Sequence, residues 1–98
     1  MIKIEKHDEF NEWFDSLTEK EQDQVDKRLE KIEKEEHFGD AKNIGESLVE
    51  LRWKNGWRVY FTKVIGKKII ILLLGGHKNA QKKEISKARL LLGRYRRN

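Results

Sequence analysis

The chain has 98 residues, of which 40% are charged and 37% hydrophobic, and it contains no cysteine. This length suffices for one hydrophobic core but not for two, which predicts a single domain spanning residues 1–98. The absence of cysteine excludes disulfides and thiolate metal sites and fits a reducing cytoplasm. The N-terminus lacks the features of a signal peptide, and the longest apolar run, residues 69–74, is too short for a membrane span, so we expect a cytoplasmic protein without a membrane partner.

The charges are divided unevenly along the chain. Residues 1–50 hold 8 Lys/Arg against 16 Asp/Glu, a net charge of −8, whereas residues 51–98 hold 14 Lys/Arg against the single acid Glu84, a net charge of +13. Clustered cations attract a polyanion, so the second half predicts a nucleic-acid or other acidic partner. The alternative is two solvated faces that differ in charge but bind nothing.

The first half predicts a short strand and a helical hairpin. Ile2 and Ile4 alternate with polar residues, as in a strand with one buried face. A helix capped by Asp8 is predicted by apolar residues at helical spacing, namely Phe10, Trp13, Phe14 and Leu17. Thr18 and Glu21 form a capping box for a second helix, which we expect to end at Gly39.

The second half predicts a three-strand meander and a last helix. After a loop over residues 39–45, alternating residues predict strands on both sides of Asn55-Gly56, a pair typical of a two-residue type I′ turn. The apolar run 69–74 predicts a central strand that ends at Gly75-Gly76. Asn79 is expected to cap the last helix, and the basic tail 93–98 is expected to be loose. The predicted fold class is α+β, with an N-terminal strand, a two-helix hairpin, an antiparallel three-strand meander joined to the first strand, and a C-terminal helix.

Basic side chains are predicted to meet at one end of the meander. Arg52 and Lys54 share a strand face by two-residue spacing, and the Asn-Gly turn brings Arg58 beside them. His77 and Lys78 follow the third strand next to a helix N-terminus, which also attracts anions. This cluster predicts a phosphate site, although a solvated strand face and a structural His77 are the alternatives.

The run VELRWKNGWRVYFTKVIGKKIIILLLGGHKNAQKKEISKA, preceded by the acidic hairpin, resembles the RelE/ParE superfamily and specifically its HigB-like addiction-module killer proteins. These are the toxin halves of type II toxin–antitoxin pairs. The resemblance implies a RelE-like fold, ribosome-dependent cleavage of messenger RNA and consequent inhibition of translation. It also implies a cognate antitoxin, which we expect to be a small helix-turn-helix protein. The tyrosine that many ribonuclease relatives carry near the start of the last helix is absent, since Asn79, Ala80 and Gln81 stand there.

By position, Arg52, Lys54, Arg58 and Lys78 match the basic catalytic residues of such toxins. We expect Lys54 to act as general base or charge stabiliser, Arg52 and Arg58 to clamp the scissile phosphate, and His77 or Lys78 to protonate the leaving oxygen. Four cations of the last helix are expected to bind RNA, namely Lys82, Lys83, Lys87 and Arg89.

No metal or cofactor is predicted. A two-metal nuclease needs several carboxylates, whereas the basic half contains only Glu84, and His7, His37 and His77 lack the spacing of metal ligands. Two other functions remain open from the sequence, namely a ParE-like inhibitor of DNA gyrase and a non-catalytic nucleic-acid-binding module.

Overall fold

A computed structural model describes residues 1–97, with side chains described through residue 96. A five-stranded sheet has the order β1-β5-β4-β3-β2, with β1 parallel to β5 and the other neighbours antiparallel. In chain order the elements are β1 Lys3–Lys6, α1 Asp8–Asp15, α2 Glu19–Glu35, β2 Ala41–Gly45, β3 Leu48–Arg52, β4 Trp57–Lys63, β5 Ile69–His77, a 3₁₀ turn Lys78–Ala80, and α3 Gln81–Arg97. The predicted α+β architecture is confirmed, with the first strand joined to the meander through β5. Among the helices of residues 1–97, none is long and apolar enough to cross a membrane.

Both faces of the sheet are covered, and each carries its own hydrophobic core. Helices α1 and α2 cover the first face, whose core includes Phe10, Val25, Leu29, Ile32, Leu51, Val59, Phe61 and Leu72. Helix α3 covers the second face, whose core includes Leu48, Tyr60, Ile71, Leu73, Leu74, Ala88, Leu91 and Leu92. Central strand β5 contributes to both cores, which explains its continuous apolar run.

The sheet has one strand more than the sequence predicts, because residues 41–45 form β2 instead of a loop. Most of β2 is exposed, so it lacks the alternation of apolar and polar residues that would reveal a strand. Its position at the edge of the sheet depends on backbone pairing with β3, from Ala41↔Leu51 to Gly45↔Leu48. The meander therefore has four strands.

Several predicted element ends are also wrong. His7, not Asp8, caps α1, because its Nδ1 accepts a hydrogen bond from the Glu9 N–H at 3.2 Å. The capping box of Thr18 and Glu21 is confirmed, but α2 ends at Glu35 and not at Gly39. Helix α3 continues to Arg97, so the tail predicted as loose is helical over its described part, and Asn98 lies outside the described residues.

The turn between β3 and β4 differs from the predicted type I′ turn, which requires positive φ at two residues. Gly56 has a φ of +103°, but Asn55 is not in the positive region. The pairing of the two strands extends to Trp53, whose N–H donates to the Trp57 carbonyl at 3.0 Å. The turn therefore comprises three residues, Lys54, Asn55 and Gly56. Lys54 consequently lies in the turn and not on a strand face shared with Arg52.

Candidate active site

The predicted catalytic residues lie at one end of the three central strands. Arg52 pairs with Arg58 across β3 and β4, and Arg58 pairs with Gly76 across β4 and β5. One residue further on, Trp57 pairs with His77. The N–H of Lys78 donates to the Gly56 carbonyl at 2.8 Å, which places Lys78 against the turn that carries Lys54. The backbone thus brings all five predicted residues to the same end of the sheet.

A buried carboxylate that the sequence analysis overlooked lies among them. Glu50 is 0% exposed, although the alternation in β3 predicts it on a charged, solvent-facing side. Its Oε1 accepts a hydrogen bond from Arg52 Nε at 2.6 Å and lies 3.9 Å from Arg58 Nε. Its Oε2 accepts a hydrogen bond from Gln81 Nε2 at 2.6 Å. Glu50 therefore partly neutralises the two arginines within the protein.

Glu50 is ionised despite its burial. Burial alone would raise its pKa, but hydrogen bonds from Arg52 and Gln81 together with the charge of Arg52 hold the pKa of Glu50 below the ordinary value. The sequence offers one indirect sign that Glu50 is buried. Because β5 is apolar at every position, both faces of the sheet must be covered, so Glu50 or Arg52 in β3 must lie beneath that cover.

The two arginines differ in how much of the guanidinium group can reach a ligand. The Arg58 side chain is 15% exposed, and its Nη1 donates to the carbonyls of Trp53 and Trp57 at 3.3 and 3.0 Å. The Arg52 side chain is 29% exposed, and within residues 1–97 its only side-chain hydrogen bond is the one from Nε to Glu50. Arg52 can thus offer its terminal nitrogens to a phosphate, whereas Arg58 mainly supports the hairpin.

His77 is held in a defined orientation by its own backbone neighbourhood. Its Nδ1 accepts a hydrogen bond from the Asn79 N–H at 3.3 Å, so His77, and not Asn79, caps the turn before α3. In the neutral ring the proton then sits on Nε2, which lies against Gly56. A Cβ at Gly56 would come within 2.5 Å of this Nε2, so the close approach requires glycine. In the neutral ring Nε2 can therefore donate a hydrogen bond, whereas release of a proton to a leaving oxygen requires the doubly protonated ring, whose Nδ1 no longer accepts from Asn79. Lys54 and Lys78 are both exposed beside His77.

A second carboxylate, Glu84, reaches back from α3 to the end of β5. Its Oε1 accepts a hydrogen bond from the His77 N–H at 3.1 Å, and burial raises its pKa above the ordinary value. A Cβ on Gly76 would overlap this carboxylate. Strand β5 consequently runs through Gly75-Gly76 to His77 and does not end there as predicted, because glycine at 76 makes room for Glu84.

The Tyr60 hydroxyl is buried in the same region. The hydroxyl faces the Glu50 carboxylate but lacks the geometry of a full hydrogen bond to it or to any other group within residues 1–97. Burial raises the pKa of Tyr60, and the negative charges of Glu50 and Glu84 raise it further. The hydroxyl therefore stays protonated and neutral at physiological pH.

The four predicted RNA-binding residues of α3 fall into two pairs. Lys82 and Lys83 are exposed and line an open groove of about 660 Å³ together with Lys78. Lys87 pairs with Glu9 at 2.9 Å, and Arg89 pairs with Glu46 at 3.1 Å. Within residues 1–97 Lys82 and Lys83 form no ion pair, so the basic surface extends from the site along the first turn of α3.

The architecture matches solved structures of a bacterial toxin. The chain is similar to the toxin in the intact E. coli RelBE toxin–antitoxin complex, with a TM-score of 0.67 and 13% identity over 79% of this chain and 96% of that one. It is also similar to isolated E. coli RelE toxin, with a TM-score of 0.66 and 11% identity over 89% of this chain and 98% of that one. The fold is thus that of the RelE toxins, which confirms the predicted resemblance at the level of the fold.

Sequence comparison defines the family. The model of the family "Phage derived protein Gp49-like (DUF891)" matches residues 12–96, and the chain belongs to this family. The chain is also 42% identical over 57 residues to an uncharacterized protein of Haemophilus influenzae. That alignment covers 56% of the chain and 57% of the relative, so the chain spans little more than half the length of the curated relative it matches.

Proposed function

We propose that this chain is the toxin of a type II toxin–antitoxin pair and that it cuts messenger RNA on the ribosome without a catalytic metal. The observation that carries this proposal is the row Arg52, Arg58 and Gly76 across three adjacent strands, with Lys54, His77 and Lys78 at the same end. The fold shared with RelE and the family membership support the same reading.

Cleavage of RNA by its own 2′-OH needs a base for that hydroxyl, positive charge for the phosphorane and an acid for the 5′-oxygen. Arg52 binds the phosphate through its terminal nitrogens, which donate no hydrogen bond within residues 1–97. Lys54 acts as base or charge stabiliser, and Lys78 or the doubly protonated ring of His77 protonates the leaving oxygen. All the charges that this scheme requires come from side chains of the chain itself.

Glu50 and Arg58 have a positioning role in this scheme. A guanidinium anchored through Nε by a buried carboxylate keeps its outer edge in one orientation, which lowers the entropic cost of binding a phosphate. Arg58 is fixed by the turn carbonyls and by the charge of Glu50, and so holds the hairpin that carries Lys54. We therefore assign phosphate contact to Arg52 and support to Arg58, where the sequence assigned both to the clamp.

The proposed partners are a cognate antitoxin, messenger RNA and the ribosome. The neighbouring solved structure is a toxin–antitoxin complex, which supports an antitoxin for this chain as well. The exposed cations Lys78, Lys82 and Lys83 suit an acidic antitoxin segment that blocks the site both electrostatically and sterically. A small helix-turn-helix protein encoded beside the chain and co-purifying with it is the expected finding.

The test is cleavage in a translation extract with mapped RNA ends. The wild-type chain should stop translation and produce discrete breaks in the message. The double variant Arg52→Ala/Lys54→Ala should slow cleavage by about 100-fold or more, because it removes two positive groups from the phosphate site. Lys3→Ala/Lys67→Ala is the control, since it removes the same charge at the opposite end of the sheet and should cut at the wild-type rate. Equal cleavage by both double variants would refute the proposed site.

A gyrase inhibitor and a non-catalytic binding module are the competing functions. Glu50 partly neutralises Arg52 and Arg58 and so weakens the binding of a phosphate at the site. This observation favours the two competing functions, neither of which needs to cut RNA. Expression in cells separates the three. The proposed ribonuclease halts translation before any DNA damage, a gyrase inhibitor damages DNA first, and a binding module does neither.

A further inference from the structure

Trp53 lies at the edge of the site and takes part in an unusual stack. Its indole ring is partly exposed, and the Arg28 guanidinium lies over it at 4.4 Å from the ring centre. Trp57 meets the indole edge-on at 6.4 Å between ring centres. Arg28 is itself fixed from α2 by hydrogen bonds to the carbonyls of Phe38, Asp40 and Arg52. The indole and guanidinium planes are thus held together as one rigid surface.

Open grooves flank this stack on two sides. One groove of about 470 Å³ runs along α2 and is lined by Gln24, Lys27, Arg28, Lys31, Phe38 and Trp53, among others. The other, of about 460 Å³, leads to the β3–β4 turn and is lined by Gln24, Arg28, Asp40, Arg52, Trp53, Lys54 and Asn55. Trp53 and Arg28 line both, so they join a groove on the helical hairpin to the candidate active site.

The charge on α2 is divided between two sides of the helix. Gln24, Lys27, Arg28 and Lys31 follow helical spacing and line the groove beside Trp53. Asp26, Glu30 and Glu33 line a different pocket, next to β1. Within residues 1–97 no carboxylate forms an ion pair with Lys27, Lys31 or Lys54. An acidic half of the sequence therefore presents a largely basic side to the site, although Asp40 also lines the second groove.

We propose that this continuous groove binds single-stranded RNA next to the cleavage site, with a nucleobase stacked on the Trp53–Arg28 pair and phosphates on Lys27, Lys31 and Lys54. This inference rests on the proposed function and specifies how its substrate is held. Aromatic rings and guanidinium planes are the surfaces on which unpaired bases stack, and lysines along a groove follow the backbone. Trp53 supplies the aromatic contact that the start of α3 lacks, where Asn79, Ala80 and Gln81 stand.

The test uses an RNA that cannot be cleaved. A short 2′-O-methyl RNA of mixed sequence lacks the nucleophilic hydroxyl, and an abasic oligomer of equal length carries the same charge without bases. In fluorescence anisotropy, wild type should prefer the base-bearing strand by about tenfold, and Trp53→Leu should lose that preference while binding the abasic strand as before. Trp53→Phe, which keeps a ring, should retain part of the preference.

The lysines are tested by a matched pair of double variants. Lys27→Ala/Lys31→Ala should lower the salt dependence of binding by about 1.4 in log–log slope, from two lost phosphate contacts. Lys3→Ala/Lys20→Ala removes equal charge from exposed positions that do not line the groove and that form no ion pair within residues 1–97, and should leave the slope unchanged. All four are surface lysines, so these variants fold even where a Trp53 variant does not.

The outcomes separate this inference from the proposed function. The proposal that the groove binds RNA is refuted if a folded Trp53→Leu variant keeps the preference for the base-bearing strand. It is also refuted if the two lysine double variants lower the salt slope equally. Neither result depends on the outcome of the cleavage assay. Strand binding that depends on Trp53 in a chain that cuts no message supports the groove and refutes the ribonuclease.

Discussion

The two faces of the sheet are built on different principles, although they share every central strand. The face under α1 and α2 is closed by aromatic and aliphatic contacts, among them Phe38 stacked on Phe61 at 5.5 Å. The face under α3 buries polar groups among its apolar side chains, namely Glu50, Tyr60 and Thr62. Neighbouring residues of β4 therefore face an apolar core on one side and a polar network on the other.

This difference indicates where function has been accommodated at the expense of packing. An apolar core needs only shape and area, whereas each buried polar group must recover its lost hydration through a specific partner. Thr62 does so by donating to the Ser47 carbonyl at 2.8 Å, and Glu50 does so through Arg52 and Gln81. The Tyr60 hydroxyl faces Glu50 but makes no full hydrogen bond within residues 1–97. The α1–α2 face thus secures the fold, and the α3 face sets the electrostatics of the site.

Two adjacent residues of β4 give the largest contrast. Phe61→Ala on the first face should lower the free energy of unfolding by about 3–5 kcal/mol, because it leaves a cavity in a closely packed core. Tyr60→Phe on the second face should change it by less than about 1 kcal/mol, because the lost hydroxyl makes no full hydrogen bond with Glu50 or any other group within residues 1–97. Urea unfolding followed by circular dichroism measures both. A large loss in Tyr60→Phe would mean that the hydroxyl bonds to Glu50 in solution.

The contrast between the faces also marks the limit of prediction from the sequence. Helical spacing of Phe10, Trp13 and Phe14 revealed the first face, and the alternation in β4 separated Val59 and Phe61 from Arg58 and Tyr60. Such periodicity reports burial only where buried residues are apolar.

Three features of the structure could not be predicted from the periodicity of apolar residues. Glu50 is buried but charged, and β2 is a strand but exposed, so both break the link between pattern and structure. The sequence predicts that β5 ends at Gly75-Gly76, because it does not reveal that Glu84 occupies the space beside Gly76. The location of the basic residues was therefore predictable, whereas their compensation by Glu50 depended on tertiary contacts.

The two carboxylates of the α3 face should respond to pH in opposite directions. Glu50 has a lowered pKa, so the stability it confers is present above the ordinary Glu value of about 4.3 and is lost as the pH falls through its folded pKa. Glu84 has a raised pKa, so its contribution is greatest below about 4.3 and is lost as the pH rises through its folded pKa.

Isosteric variants measure this difference directly. Glu50→Gln should be less stable than wild type by about 2 kcal/mol near neutral pH, since it breaks a buried ion pair whose arginine is partly exposed, and the gap should close in acid. Glu84→Gln should gain on wild type as the pH rises from about 4 toward 7, because the introduced amide oxygen can still accept the His77 N–H without a buried charge. Unfolding free energies across this pH range test both signs, and parallel curves for the two variants would contradict the assignment.

The smallest effect distinguishes the two pairs of cations on α3. Lys87→Ala/Arg89→Ala breaks ion pairs with Glu9 and Glu46 at the surface, and should cost less than about 1 kcal/mol per pair in stability. Lys82→Ala/Lys83→Ala breaks no ion pair within residues 1–97, and should leave stability unchanged. Binding of single-stranded RNA should show the reverse order. The second variant should lower the log–log salt slope by about 1.4, and the first by less, because its cations are already neutralised by neighbouring acids. Equal slopes in the two variants would mean that RNA displaces Glu9 and Glu46, and that the whole of α3 belongs to the interface.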